Sequence, residues 1–401
     1  MSEIRVTNVI GENGDSPVNF TKGINMSGIC TAPAFIPSQG QLSHRNIVIN
    51  GAMTVAQRGV SSSAGNGYHT VDRIKFRSGG NDEANTVSRI VLNSTDTGPY
   101  EKGFRYAYRM QNGNQTSVGT GDWAQIEYHP EAQDIANSGW DYTNPNSFIT
   151  LSFWTRSSVG QRFYGYMDSI DGTGQRYSFA TDGGSALSAN TWRFVSVTIP
   201  GNSNLQFDNN SDNGLDIKFV TYYGTSYTDN SYTMNNWAAT GSNYMHDFPS
   251  TWYTTNDATW DITGIQLEVG SVATPFEHRS YADELKRCQR YYYKSSRWMG
   301  GARGSSTARS FTTDFGMRLT GSDVSSGTYT NDGTASGDVV YIGSNATRQV
   351  SNVTANSMGA SSSSTEGSMQ IGVTVGYGIG SGDNGIVTGL YLGGFTIDHE
   401  I

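Results

Sequence analysis

ITGIQLEVGSVATPFEHRSYADELKRCQRYYY, from Ile262 to Tyr293, changes period twice within one short stretch. Ile265, Leu267 and Val269 alternate with Gln266 and Glu268, the period-two pattern of a strand with one buried face. Such a strand is expected to close a β-sandwich. Pro275 blocks its continuation. Ser280 and Asp283 then form an S-x-x-D cap that predicts a short helix with Tyr281, Leu285, Cys288 and Tyr292 on one stripe. Asp283 and Glu284 fall early in that helix and Lys286, Arg287 and Arg290 late, an order that suits the helix dipole. The stretch therefore marks a domain junction.

Upstream, from Arg45 to about Val272, the same alternation recurs between turn signals. Inward sets are Phe104, Tyr106, Tyr108 and Met110; Ala124, Ile126 and Tyr128; Ile149, Leu151 and Phe153; Val195, Val197 and Ile199; and Leu215, Ile217 and Phe219. Helical periodicity is lacking. The pattern predicts a mainly β chain with a central antiparallel jelly-roll β-sandwich, one short linking helix and a smaller C-terminal β domain. In that last part, VVYI and the run from Met369 to Ile379 read as strands. The second has glycine on most of its outward positions, which permits close approach of another backbone. The expected divisions are 1–43, an N-terminal anchor or oligomerisation segment; 44–279, the sandwich; and 280–401, the helix with the C-terminal β domain.

Two blocks of sequence resemble a known family. QLEVG, TPFEHRSYADEL and CQRYY are similar to a segment of phage virion fibre and tail appendage proteins. RNIVINGAM, AQRG and GYHTVDRIKF, between Arg45 and Phe76, resemble the opening of the jelly roll that precedes that segment, a domain resembling carbohydrate-binding modules. The resemblance implies a trimeric virion protein, anchored to other virion proteins through its N-terminal segment, that mediates host attachment. It would be assembled in the host cytoplasm and carried on the virion.

Composition agrees with a β protein and narrows the partners. Among 401 residues, 49 are Gly, 15% are charged and 12% aromatic, the texture of short strands joined by many turns. With 26 basic against 35 acidic residues the formal net charge is −9, which gives no electrostatic footprint for nucleic acid or an anionic membrane. No apolar run approaches the ~18 residues of a membrane span, and MSEIRVTNVIGENG lacks the pattern of a signal peptide. Cys30 and Cys288 have no metal-binding spacing and read as buried or bystander thiols.

Catalytic signatures are missing. His44, His69, His129, His246, His278 and His399 are dispersed, and neither H-E-x-x-H nor G-x-S-x-G occurs. Two carboxylates can still converge from distant segments, and Asp168 with Asp171 is one arbitrary pair. The chain lacks the rung repeats of a β-helical depolymerase. The expectation is a non-enzyme without cofactor, with Asp261 as a weak candidate ligand for a structural Ca²⁺.

Sugar recognition needs aromatic faces for C–H surfaces and neutral polar side chains for hydroxyls. The segment from Tyr222 to Trp260 supplies both, and Trp237, Tyr244, Trp252 and Tyr253 are its candidate platform residues. Trp140 and Tyr142, in SGWDYTNPN, are candidates for the same rim. Trp154, Trp192 and Trp260 read as core, and Arg45, Arg58, Asp72 and Arg73 as an ionic network pinning the sandwich edge. The function expected is attachment to a host-surface glycan. The alternatives are a purely architectural virion protein, such as a head fibre, decoration or connector, and a surface-polysaccharide depolymerase.

Overall fold

Alternating inward residues commit the chain between 61 and 269 to two antiparallel sheets packed face to face. The computed structural model describes residues 43–63, 65–241, 244–295, 299–300, 308–314, 328–331, 339–343, 346–350, 353–360, 368–375, 389–390, 395–398 and 400. One sheet has six strands in the spatial order β1 (Ser61–Ser62), β4 (Thr86–Val91), β5 (Tyr106–Gln111), β13 (Thr259–Val269), β7 (Phe148–Ser157) and β10 (Arg193–Pro200). The other has seven: β12 (Trp237–Ala239), β9 (Gln175–Ala180), β8 (Tyr164–Ser169), β11 (Leu215–Tyr223), β6 (Trp123–Tyr128), β3 (Lys75–Gly79) and β2 (Gly67–Tyr68). This is a jelly-roll kind of β-sandwich with little helix.

The core between the sheets is built from the inward sets. Leu151 and Phe153 of β7, Val195 and Ile199 of β10, and Ile265 and Leu267 of β13 face Ile126 and Tyr128 of β6 and Ile217 and Phe219 of β11. Phe153 and Phe219 meet edge to face across the sheets, with ring centroids 5.0 Å apart. Each such side chain contributes about 2–3 kcal/mol when withdrawn from water. Phe104 departs from the expected set. It lies with Leu92 and Ala107 in a separate cluster, flanked by the partly buried Trp154, Trp192 and Phe276. Trp154 and Trp192 thus lie outside the central core, whereas Trp260 is fully buried within it.

β13 is the last strand of the sandwich in sequence and a central one in space, paired with both β5 and β7. Its register shifts between Thr263 and Gln266, where Gly264 adopts φ +66; a Cβ there would stand 2.6 Å from the Phe104 ring. Its polar face is also buried, contrary to the simple period-two expectation. The linker after it folds back, so that the Thr274 N–H donates to Glu268 at 2.8 Å and the Glu277 N–H donates to Gln266 at 2.8 Å.

After two short helices, α1 (Ala132–Ala136) and α2 (Thr251–Thr254), α3 (Tyr281–Gln289) begins as its sequence requires, with the Ser280 hydroxyl accepting from the Asp283 N–H at 3.2 Å. Cys288 and Tyr291 pack with Ile49 and Val55, and Leu285 lies partly buried against them. Tyr281 is a correction to the expected stripe: it is 60% exposed. The Cys288 thiol is buried, and that burial pushes its pKa well above the ordinary value; Cys30 lies outside the described residues.

The two sequence blocks that bracket the sandwich also pack on each other. Ile47 N donates to Leu267 O (2.9 Å), Leu267 N to Asn46 Oδ1 (3.0 Å) and Asn46 Nδ2 to Ile265 O (3.1 Å). Gly51 comes so close to β13 that a Cβ would lie 2.0 Å from Ile265 O. Asn50, buried with φ 63, uses its amide on Val55 O, Asp72 O and Val55 N, each at 2.9 Å. The expected Asp–Arg network is present and reaches further than an edge. Asp72 accepts from Gln57 N (2.9 Å), while Arg58 and Arg73 stack on Tyr292 and Tyr291 and both pair with Glu400.

Beyond α3 the described backbone is again antiparallel β. Phe395–Asp398 pairs with Tyr292–Ser295 on one side and Thr328–Asn331 on the other. Val339–Gly343, which contains VVYI, pairs with Ala346–Val350. Ser368–Val375, the start of the glycine-alternating run, runs between Ala308–Asp314 and Val353–Ala360 of its own chain. The rest of that run lies outside the described residues, as does the expected N-terminal anchor.

Candidate functional site

The aromatic-rich segment after β11 is a roof over the sandwich rather than an open loop. Trp252, on the single turn α2 (Thr251–Thr254), and Tyr253 are both 0% exposed and belong to the central core. Trp252 Nε1 donates to Thr259 O at 3.1 Å, and Tyr253 stacks on Tyr222 with centroids 4.2 Å apart. A sugar platform needs a ring face open to water. These two residues offer none, and their expected role as platforms is corrected to packing. Tyr244 is half-buried against Tyr166 and Tyr223, on the outer face of the seven-stranded sheet.

Trp237 is placed differently. It sits on β12, the edge strand, opposite Tyr177 of β9, and its Nε1 donates to Pro200 O at 2.7 Å. That bond and the Tyr177 ring, 5.3 Å away, hold it in the central core with 7% of its surface exposed, so Trp237 too packs and offers no open platform, although it borders a groove. Beside it lies a groove of about 550 Å³ lined by Thr173, Gln175, Asn202, Asn204, Gln206 and Trp237, with Ala238 and Ala239. None of these eight side chains is ionisable. The five polar ones were not legible as a set, because they come from the turn before β9, from the first residue of β9 and from the loop after β10.

Trp140 and Tyr142 support this rim from behind. Trp140 is 4% exposed, so it too is a packing residue and not a platform. Tyr142 is half-buried and meets Phe207 edge to face at 5.0 Å, and the Tyr142 carbonyl accepts from Asn202 N at 2.8 Å. Gly201 must be glycine for the loop to pass here, since a Cβ would lie 2.4 Å from Asn144 O. Trp140 and Tyr142 are candidates for the rim of Trp237; Tyr142 meets Asn202 and Phe207 of the loop that supplies part of the groove, and of the three only Trp237 lines it.

The outer face of the seven-stranded sheet carries a band of paired charges. Arg176 holds Asp168 in a bidentate pair (2.6 and 2.7 Å) and lies over the Tyr244 ring at 3.9 Å. Lys218 meets Asp216 at 2.7 Å, and His129 Nε2 lies 3.1 Å from Glu127 and 3.5 Å from Asp216. Burial alone would raise the Asp216 and Glu127 pKa values. His129 and Lys218 outweigh it and hold both carboxyls below their ordinary range. Glycoside hydrolysis needs a general acid whose pKa is raised, and neither of these carboxyls meets that requirement. Asp168 and Asp171 have separate partners, Arg176 for the first and the Asp208 N–H (2.9 Å) for the second.

Asp261 is committed to arginine. Arg109 donates to it at 2.7 and 3.0 Å and Arg156 at 2.9 and 2.7 Å, which saturates the carboxylate and corrects its candidacy as a Ca²⁺ ligand. Among the described residues no group of three or more His, Cys, Asp or Glu side chains could hold a metal ion. Among them, too, no helix is long and apolar enough to cross a membrane.

The fold and the groove together define an antiparallel β-sandwich with a neutral, amide-lined edge. Comparison with solved structures gives only remote likenesses. The chain is similar to the enzymatically active domain of bacteriophage CBA120 tailspike protein 4 at 10% identity and TM-score 0.29, covering 56% of this chain and 21% of that one. It is similar to the N-terminal cellulose-binding domain of Cellulomonas fimi β-1,4-glucanase C at 11% identity and TM-score 0.24, covering 55% of this chain and 99% of that one. A two-module piece of a Clostridium thermocellum xylanase matches at 6% identity and TM-score 0.24, over 48% of this chain and 26% of that one. No family model and no curated protein matches the sequence. Likenesses this remote establish no function, which must come from the side chains of the site.

Proposed function

We propose that this chain is a non-enzymatic fibre or tail appendage protein of a phage particle, and that it attaches to a host-surface glycan through the groove beside Trp237. The observation that carries this reading is the groove itself: four amides and a hydroxyl beside a buried indole, with no ionisable side chain among its eight lining residues. Hydroxyl-rich ligands are recognised by such neutral polar groups, each able to give or take a hydrogen bond. The resemblance of residues 45–76 and 262–293 to phage fibre proteins supports the virion setting. Each site would bind weakly, and a homotrimer carried on a rigid particle would raise avidity without new contacts.

A purely architectural role is the second reading. It is favoured by the burial of Trp140, Trp237, Trp252 and Tyr253, which removes four of the six expected platform residues. The two readings separate with the variant Asn204→Ala/Gln206→Ala, two exposed groove positions. Glycan attachment predicts at least a ~10-fold loss of binding to host cells, the effect of removing about 1.4 kcal/mol of contacts, with unchanged trimer mass by light scattering. An architectural role predicts no host-cell binding by the wild type. Release of soluble sugar would instead mark a depolymerase.

A further inference from the structure

Which amides of the groove are already engaged determines what it can accept. Gln175 directs Nε2 to Thr173 O (3.3 Å) and Gly174 O (3.1 Å), which leaves its Oε1 without a protein partner. Asn202 Oδ1 accepts from Asn204 N at 2.9 Å, leaving its Nδ2 group to donate. Gln206 gives Nε2 to Asp208 Oδ1 at 3.1 Å and keeps Oε1 open. The groove therefore presents both donors and acceptors, a set that suits hydroxyls, which give one hydrogen bond and accept others.

Its surroundings are unfavourable to an anion. Asp208 is one hydrogen bond from Gln206, and the Asp208 N–H is bound to the carboxylate of Asp171, so two acidic groups stand on that side. No Lys or Arg lines the groove, and two cations of the same sheet are spent: Arg176 is bidentate on Asp168, and Lys218 pairs with Asp216. A carboxylate or sulfate entering the groove would shed water without meeting a free cation and would face Asp208.

We infer that the groove selects an uncharged saccharide segment and rejects one bearing carboxylates or sulfates. This rests on the glycan-binding reading above and specifies its ligand class. The penalty expected for an acidic ligand is roughly tenfold in Kd at low salt, combining repulsion with uncompensated desolvation, and it shrinks as salt screens the repulsive part.

The test uses the full chain and a panel of mannan, galactan and β-1,3-glucan, each native and after oxidation of its primary hydroxyls to carboxylates. Kd is measured by biolayer interferometry at low and high salt for the wild type, Asp208→Asn and Asn204→Ala/Gln206→Ala. The expected result is binding of at least one native polymer, lost in the double variant, and weakened roughly tenfold by oxidation at low salt. The gap should narrow in Asp208→Asn. Equal affinity before and after oxidation, with binding still lost in the double variant, would overturn the charge selectivity and leave the glycan reading standing. Polymer binding that survives the double variant would overturn the assignment to this groove. If no polymer binds in either form, both the selectivity and the glycan reading fall.

Discussion

Arg73 and Glu400, 327 positions apart in the chain, form an ion pair whose side chains are 0% and 2% exposed. Arg73 also lies 3.5 Å from the centroid of the Tyr291 ring, just past α3, and Arg58 reaches the same carboxylate at 3.2 Å while stacking on Tyr292. Start of the sandwich, end of the helix and end of the sequence are thus tied at one buried point. Removing one partner of a buried pair leaves the other charge uncompensated, at a cost of about 3–5 kcal/mol. Glu400→Ala is expected to lower stability by that order in urea unfolding. Coupling close to zero in a double-mutant cycle with Arg73→Met would contradict the linkage.

Asn50 serves as a second knot. Its amide makes three bonds to the chain on either side of the 55–72 segment, from a left-handed backbone conformation. Asn50→Ala removes all three and adds backbone strain, so a loss of about 3 kcal/mol is expected. Asn50→Gly, which tolerates the conformation, should lose less; calorimetric midpoints for the two variants provide the comparison.

Trp252 is expected to matter for folding rather than for binding. Trp252→Ala opens a cavity in the central core and should cost about 3–5 kcal/mol, read as a drop in Tm, with ligand affinity of the remaining folded protein unchanged. A stable variant with lost binding would return Trp252 to the site.

Acid sensitivity has two components of opposite sign. Burial tends to raise Glu127 and Asp216, but His129 and Lys218 hold both below their ordinary range. Their stabilising contribution is therefore complete above the unfolded pKa of about 4 and is lost as pH falls through the folded values. Asp72 runs the other way. Burial, opposed by Gln57 and Arg58, pushes it up to about 6, so its contribution is present below about 4 and lost as pH rises through 6. Urea midpoints followed from neutral pH to about pH 3 should fall on the acid side, and Asp216→Asn should flatten that fall.

The sheets were legible because period two reports which residues share a face. Ile149, Leu151 and Phe153, for instance, are all 0–1% exposed. What period two does not report is whether the opposite face is covered. Gln266 and Glu268 look exposed by alternation, yet the linker through Thr274 buries both. Trp154 and Trp192 look like core, yet they lie in the cluster around Phe104, half-buried. Composition drew attention to the Tyr222–Trp260 segment as a possession of aromatic rings, but only tertiary packing distinguishes Trp252, under the roof, from Trp237, on the groove wall. The groove's amides come from two separate connections, and no spacing rule joins Gln175 to Gln206.

Binding of fluorescently labelled full-length protein to intact host cells, before and after removal of surface polysaccharide and with released sugar assayed in parallel, tests the central claim most directly. Attachment to a host-surface glycan requires binding that disappears with the polysaccharide and releases no sugar. Binding that persists on stripped cells, or no binding to untreated cells at all, would contradict it.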